Sequence, residues 1–499
     1  MTKQGRLILI VSILASFVAF LDGSVVNVAL PAIERQLGGG LIAQQWVVDA
    51  YLLSLGSLIL IAGSLSDLFG RKRILNFGLI GFLIASILCA IAPNDTFLIV
   101  ARLLQGVAGA LLVPSSLAII ISAFKGKEQA KAIGTWTGWT GISFIVGPLL
   151  GGFLVDYSSW RYVFAINVVP ILITLYLLRR IEHPDSVTKN ASVDYVGAIL
   201  CSLGLAGTVY ALIELPTHGL SSPGIFLPLI GGILLLAVFI FYEKDTKNPM
   251  LPLSIFKNRN FSVGNVATVA IYAGLSVATF VVIIFAQQVG GYSAFKAGLS
   301  FLPVTIIMFI LSPRFGALAG KYGPRFFMSV GPIIAGFGFL LMLRVDANVN
   351  YWSDLFPAVI VFGLGLSMTV APLTAAILGD VESARAGLAS AINNAVARIA
   401  GLLAIAAIGV VISTQFASAL TKNASSQVYS SFVSKAKKSP LIVSAPSNTP
   451  NKKTFENDLK SASVSAFHLG IISVASIVML GGVISAIGIQ NKKKEPDLA

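Results

Sequence analysis

Long apolar runs, each broken by a short polar turn, recur along this chain from Leu7 to Ile487. A helix that crosses a bilayer needs about 20 mostly apolar residues. The number and length of the runs, more than their periodicity, separate them from the core of a soluble protein. The pattern predicts spans over residues 7–30, 44–65, 74–91, 97–124, 132–154 and 162–178, then 196–213, 225–242, 261–287, 297–317, 326–343, 355–377, 388–412 and 466–487. The expected fold class is therefore an all-α integral membrane protein of about fourteen transmembrane helices. Residues 413–465, rich in Ser, Lys and Asn, read as a long solvated loop before the last span.

Composition agrees, with 56% of the 499 residues hydrophobic, 11% charged and a mean hydropathy of +0.86. Such a chain needs a bilayer as its solvent. The first run follows Lys3 and Arg6 as a secretion signal would, but no small-residue cleavage site follows and apolar character resumes past Asp22 to Pro31, so it reads as the first span. The formal charge of +14 is spread over short turns rather than gathered with aromatics, which argues against a nucleic-acid partner and for topology. Alternate turns hold Lys3 and Arg6; Arg71, Lys72 and Arg73; Lys125, Lys127 and Lys131; Arg179, Arg180 and Lys189; Lys244, Lys247, Lys257 and Arg259; Arg314, Lys321 and Arg325; Arg385; and Lys492, Lys493 and Lys494. The short intervening turns offer only Arg35, Arg161, Lys296 and Arg344, and the seven lysines of the long 413–465 stretch are set aside because long loops say little about topology. Cytoplasmic loops retain Lys and Arg, so both termini are expected in the cytoplasm of a multi-pass cell-membrane protein, a bacterial cytoplasmic membrane being the expected location.

Several chemistries are disfavoured. Cys89 and Cys201 fall inside apolar runs, and His183, His218 and His468 lie far apart, so neither a disulfide framework nor a metal site is expected. No Walker-type phosphate loop occurs, and no cofactor is implied. No nucleophile or paired-carboxylate constellation marks the spans, so an enzyme is not expected.

An internal repeat organises the chain. Gly63-Ser-Leu-Ser-Asp67-Leu-Phe-Gly70-Arg71-Lys72 follows the second span and Gly316-Ala-Leu-Ala-Gly320-Lys-Tyr-Gly323-Pro324-Arg325 follows the tenth, with two glycines at the same spacing. Matching the tenth span to the second divides the chain into a six-helix bundle (1–190), two inserted helices (191–250) and a second six-helix bundle (251–499). Related halves with a site between them at mid-membrane are a common transporter plan.

Ionisable residues inside spans cost several kcal/mol unless they face a cavity or a partner, which makes them candidates for function. Asp22 is expected to take and release a proton, and Arg102, permanently charged, is expected to tune whichever acid it faces or to hold a helix interface shut. Gln105 and Gly109 continue the Arg102 face of the helix. Asp49, Gln105, Asn393, Asn394 and Arg398 are expected at a substrate cavity, Asp49 in a wetted vestibule. Glu214 is expected only to reach interfacial water. Asp67, Gly70 and Arg71 are expected to latch the cytoplasmic side. Gly147, Pro148, Gly151 and Gly152 strip a helix of side chains and of one donor, permitting close approach and a bend.

Taken together, these motifs resemble the fourteen-helix drug:proton antiporters of the major facilitator superfamily over nearly the whole chain. Leu21-Asp22-Gly-Ser-Val-Val-Asn27-Val-Ala-Leu-Pro31 is similar to that group's first-helix signature, and the 63–73 turn to the superfamily loop. Arg102-Leu-Leu-Gln105-Gly106-Val-Ala-Gly109 resembles the motif whose arginine is tied to proton coupling, and Gly147-Pro148-Leu-Leu-Gly151-Gly152 the antiporter motif that seals against proton leak. Trp160 to Asn167 and Gly291 to Pro303 are further echoes, while Ser143 and Asp49 depart from the usual Gly and Thr. The resemblance implies a monomer exporting amphipathic small molecules in exchange for protons. A dedicated exporter of one metabolite, lipid or siderophore, and a membrane enzyme or assembly factor on the same fold, are the alternatives.

Overall fold

The computed structural model describes residues 2–182, 193–379, 381, 386–423, 433, 436, 440–445, 449 and 451–491. Among them, fourteen helices are long and apolar enough to cross a membrane: α1 (Lys3–Leu37), α2 (Gly40–Phe69), α3 (Arg71–Ala90), α4 (Asp95–Ala123), α5 (Lys131–Tyr157), α6 (Tyr162–Arg179), α7 (Tyr195–His218), α8 (Pro223–Asp245), α9 (Arg259–Gln288), α10 (Ala294–Tyr322), α11 (Pro324–Arg344), α12 (Tyr351–Ile377), α13 (Leu388–Lys422) and α14 (Lys452–Gly488). Local chemistry sets their ends. The Thr2 hydroxyl accepts from Gly5 N–H at 3.1 Å to start α1, and the Asn94 side chain caps α4 through Phe97 N–H at 2.8 Å. The repeated turns pivot on equivalent glycines, Gly70 at φ 98° and Gly323 at φ 89°, a backbone region that disfavours any side chain.

The helices pack as the repeat implies. In the first half α4 packs on α2, α3 and α1, while α1 also packs on α5 and α6; in the second half α12 packs on α10, α11 and α9, while α9 also packs on α13 and α14. Two main seams join the halves, α2 against α13 and α5 against α10, which the repeat interchanges, and α1 also touches α9 and α10. The inserted hairpin α7–α8 lies outside the seam where α7 touches both α2 and α13. Its Glu214 does more than meet interfacial water: it accepts from Trp46 Nε1 at 3.0 Å and so ties α7 to α2.

Between α13 and α14 the structure departs from the expected 413–465 loop. Helix α13 continues through 413–422 and α14 already begins at Lys452, with Gln415 Nε2 donating to Ser465 Oγ at 2.9 Å. The reason is a sparse apolar stripe within the polar sequence: Phe416, Leu420, Phe455, Leu459 and Ala462 are buried, joined by Val433, Leu441 and Ala445. Of the basic residues used for orientation, Lys189, Arg385 and Lys492–Lys494 lie outside the described residues, as do the Lys127 side chain and His183.

Candidate functional site

Four helices of the first half converge on Asp22. Arg102 of α4 meets it at 2.5 Å between Nη1 and Oδ2, with 1% and 0% of the two side chains exposed. Gln105 Nε2 and Asn167 Nδ2 donate to Asp22 Oδ1 at 2.8 and 2.9 Å, and Ser86 Oγ on α3 receives Gln105 Nε2 at 3.0 Å. The guanidinium is fixed further by Nε donating to Val47 O at 2.9 Å, by Gln105 Oε1 at 2.7 Å and by the Tyr51 ring 4.3 Å beneath it. Each partner of Asp22 donates, so the carboxyl group serves as an acceptor only. A buried ion pair holds together where its remaining polar atoms are also bonded, and this one nearly meets that condition; Asn167 Oδ1 is left over.

The network corrects one expectation and exposes two omissions. Gln105 is fully buried, so it organises Asp22 and Arg102 instead of lining a cavity. Asn167 and Ser86 were not singled out. Asn167 closes the Trp160–Asn167 motif, which could have pointed to it, whereas Ser86 sits in an apolar run with nothing to distinguish it. The same motif fastens the far end of this half, where Trp160 Nε1 and Arg161 Nη1 both donate to Gln36 Oε1, at 2.5 and 2.7 Å.

Asp49 is also away from water. It is fully buried and neither of its carboxyl oxygens has a hydrogen-bond partner among the described residues. It shares a stripe of α2 with Gln45, which donates to Ile405 O at 2.7 Å, and Gly56, which abuts Ile399, so it lies in the seam with α13 and not in a wetted vestibule.

The polar residues of α13 divide. Asn393 donates to Thr268 Oγ1 at 2.7 Å and Asn265 Oδ1 at 3.3 Å on α9, Asn394 is exposed and bonds back to Ser390 O, and Arg398 is part-exposed with its guanidinium 5.2 Å from the Phe20 ring across the seam. Arg398 has no hydrogen bond or ion pair among the described residues. Beside Phe20, the adjoining Gly23 faces open space.

At the α2–α3 turn, Arg71 Nη2 pairs with Asp67 at 3.0 Å and Arg71 Nη1 donates to Ala118 O of α4 at 3.1 Å. The turn is thus fastened within its own half in this conformation. The glycine run of α5 works by close approach. A methyl at Gly151 would meet Val25 O at 2.9 Å on α1, and one at Gly152 would sit 2.5 Å from Phe295 Cα on α10. Gly147 faces Ser24 of α1, and Pro148 packs its carbonyl against Gly298 of α10. Next to this run, Asp156 accepts from Ala294 and Phe295 N–H at 3.0 and 2.9 Å, and Gln287 of α9 donates to Val28 O of α1 at 3.1 Å. These bonds and Gln45–Ile405 join the two halves at the end away from the termini.

Residues 12–405 match the family model described as Major Facilitator Superfamily. The chain is 34% identical to the methylenomycin A resistance protein of Bacillus subtilis, covering 82% of this chain and 88% of that one. It is 33% identical to the multidrug resistance protein Stp of Mycobacterium tuberculosis (84% and 78%) and 32% identical to the puromycin resistance protein pur8 of Streptomyces alboniger (81% and 81%). Among solved structures, a bacterial homologue of the human lysosomal transporter Spinster, in an inward-facing and unoccupied conformation, superposes with a TM-score of 0.68 at 15% identity over 99% of this chain and 100% of that one.

Proposed function

Because the chain belongs to the Major Facilitator Superfamily, we propose that it exports amphipathic, drug-like small molecules across the cell membrane in exchange for protons. The observation that carries the coupling is the Asp22–Arg102 pair, an acid and a fixed cation kept at depth inside an apolar bundle. The resistance functions of its relatives support the class of cargo.

With both termini in the cytoplasm, the bonds joining α1 to α9, α2 to α13 and α5 to α10 close the outer side, and the conformation is cytoplasm-facing. A proton delivered to Asp22 removes the charge that Arg102 answers and turns one acceptor into a donor, loosening α4 from α1. Helix α1 presents Phe20 and Gly23 beside Arg398 of the opposite half, so that loosening reaches the seam where cargo is held. Asp67 and Arg71 then re-pair across the cytoplasmic side as the halves rock. One proton crossing about 100 mV supplies roughly 2.3 kcal/mol, enough for roughly a fortyfold cargo gradient. A monomer contains all of these parts.

Proteoliposomes with an imposed pH gradient and a panel of fluorescent lipophilic cations test the reading. Gradient-dependent movement of several unrelated dyes is expected. Movement of none, or movement indifferent to the gradient, overturns it.

A further inference from the structure

The inserted hairpin contains a second buried acid pair, remote from Asp22. Asp194 caps the start of α7, its Oδ1 accepting from Gly197 N–H at 2.8 Å. Glu243, in the last turn of α8, accepts from Leu251 N–H through Oε2 at 3.0 Å, on the segment that leads to α9. Each carboxylate therefore spends one oxygen on the main chain. The other two, Asp194 Oδ2 and Glu243 Oε1, have no hydrogen-bond partner, in residues only 8% and 2% exposed. Both lie over the same spot on Gly197: a methyl there would stand 2.5 Å from the first and 2.7 Å from the second. Two free carboxyl oxygens are thus aimed into one small space, one from each end of the hairpin.

Among the described residues, the surroundings offer no compensating cation. Neither acid is ion-paired among the described residues, and Lys244, Asp245 and Lys247 are exposed. The buried Cys201 thiol on α7 is a further titratable group near Glu243. Ile61 and Leu65 of α2 and Ile399 and Leu402 of α13 share an apolar cluster with Ala198 and Cys201 of α7 and with Met250. Two carboxylates so placed cannot both ionise without strong repulsion, and a single proton shared between them relieves that repulsion, leaving one negative charge for the pair, and supplies the missing bond. A metal ion would need more oxygen ligands than these two, and no group of three acidic, His or Cys residues occurs among the described residues.

The geometry points to a proton-binding site shared by Asp194 and Glu243, a clasp that joins the two ends of the inserted hairpin and holds the 246–258 link to the second half while the proton is bound. Loss of the proton sets the two acids apart and frees the Leu251 amide. The site lies outside the seam in which cargo is placed and does not depend on the coupling role of Asp22.

Glu243→Gln tests it, because the amide can donate to Asp194 Oδ2 and still accept from Leu251. In purified full-length protein in lipid, infrared titration is expected to show a protonated-carboxyl band lost from wild type as pH rises, and missing from both Glu243→Gln and Asp194→Asn. Hydrogen exchange of the peptide containing Leu251, corrected for its intrinsic pH dependence, is expected to accelerate at high pH in wild type and not in Glu243→Gln. An identical band in wild type and Glu243→Gln, or identical exchange, overturns the proposal, as does restoration of slow exchange at high pH by added calcium. Neither readout involves transport, so failure here and failure of the export reading are separate results.

Discussion

The two bundles share a helix plan but treat charge in opposite ways. In the first, Asp22 and Arg102 neutralise each other within a shell of Gln105, Asn167, Ser86 and Tyr51, all sealed from water. In the second, Asn393 is satisfied by α9 while Arg398 is left part-exposed with only an aromatic ring across the seam. The repeat thus conserves packing and not chemistry. On the export mechanism proposed above, the first half would hold and release the proton, and the second would offer its unspent charge to whatever enters between them.

The sharpest way to break this contrast is to remove one member of the sealed pair. Asp22→Asn is expected to abolish gradient-driven export and to lower unfolding stability by about 3–5 kcal/mol, since a buried guanidinium is left unanswered. Asp22→Asn with Arg102→Gln should regain much of that stability without regaining export, read by thermal unfolding beside dye flux. Export surviving in Asp22→Asn would remove the first bundle from the coupling.

Next in size is the seam. Gly152→Val must push α10 away, because even a methyl would meet Phe295 main chain. A cost of about 1–3 kcal/mol to the closed α5–α10 seam shifts the population toward separation by roughly fivefold or more. Spin labels at the exposed Tyr157 and Lys296 should report longer distances. Unchanged distances would mean that the seam yields elsewhere.

Arg398→Gln should leave stability within about 0.5 kcal/mol, as for other part-exposed sites, yet raise the half-saturating concentration of anionic or neutral cargo relative to cationic dyes several-fold. Equal kinetics for both classes would erase the distinction between the halves. Smallest is Asp67→Asn, where a part-exposed pair contributes about 0–1 kcal/mol. Its stability effect should vanish in high salt, while the export rate falls if the turn latches the cytoplasmic side.

Span number, the repeat and the intramembrane charges Asp22 and Arg102 were legible because each leaves a one-dimensional trace: an apolar run, a glycine spacing, a charge where none is cheap; that the two charges face each other was not. What stayed hidden depends on which way a side chain points. Asp49 and Gln105 looked like cavity residues from depth alone, but helix rotation turns Asp49 into the α13 seam and Gln105 onto Asp22. Ser86 carries no charge penalty and so no flag. The helical continuation of α13 and α14 was masked by Ser, Lys and Asn around a stripe of only a few apolar residues, Phe416, Leu420, Phe455 and Leu459.

The three fasteners at the closed end share a further property. Gln45, Gln287 and Asp156 each bind main-chain atoms of the opposing half, Ile405 O, Val28 O and the amides of Ala294 and Phe295. Water can take over every one of these polar groups when the halves part, so undocking strands no buried donor and breaks no matched side-chain couple. The joint can therefore reopen and reclose many times at little net energy, and sequence drift at the residues that lend their main chain to each contact leaves its grip intact.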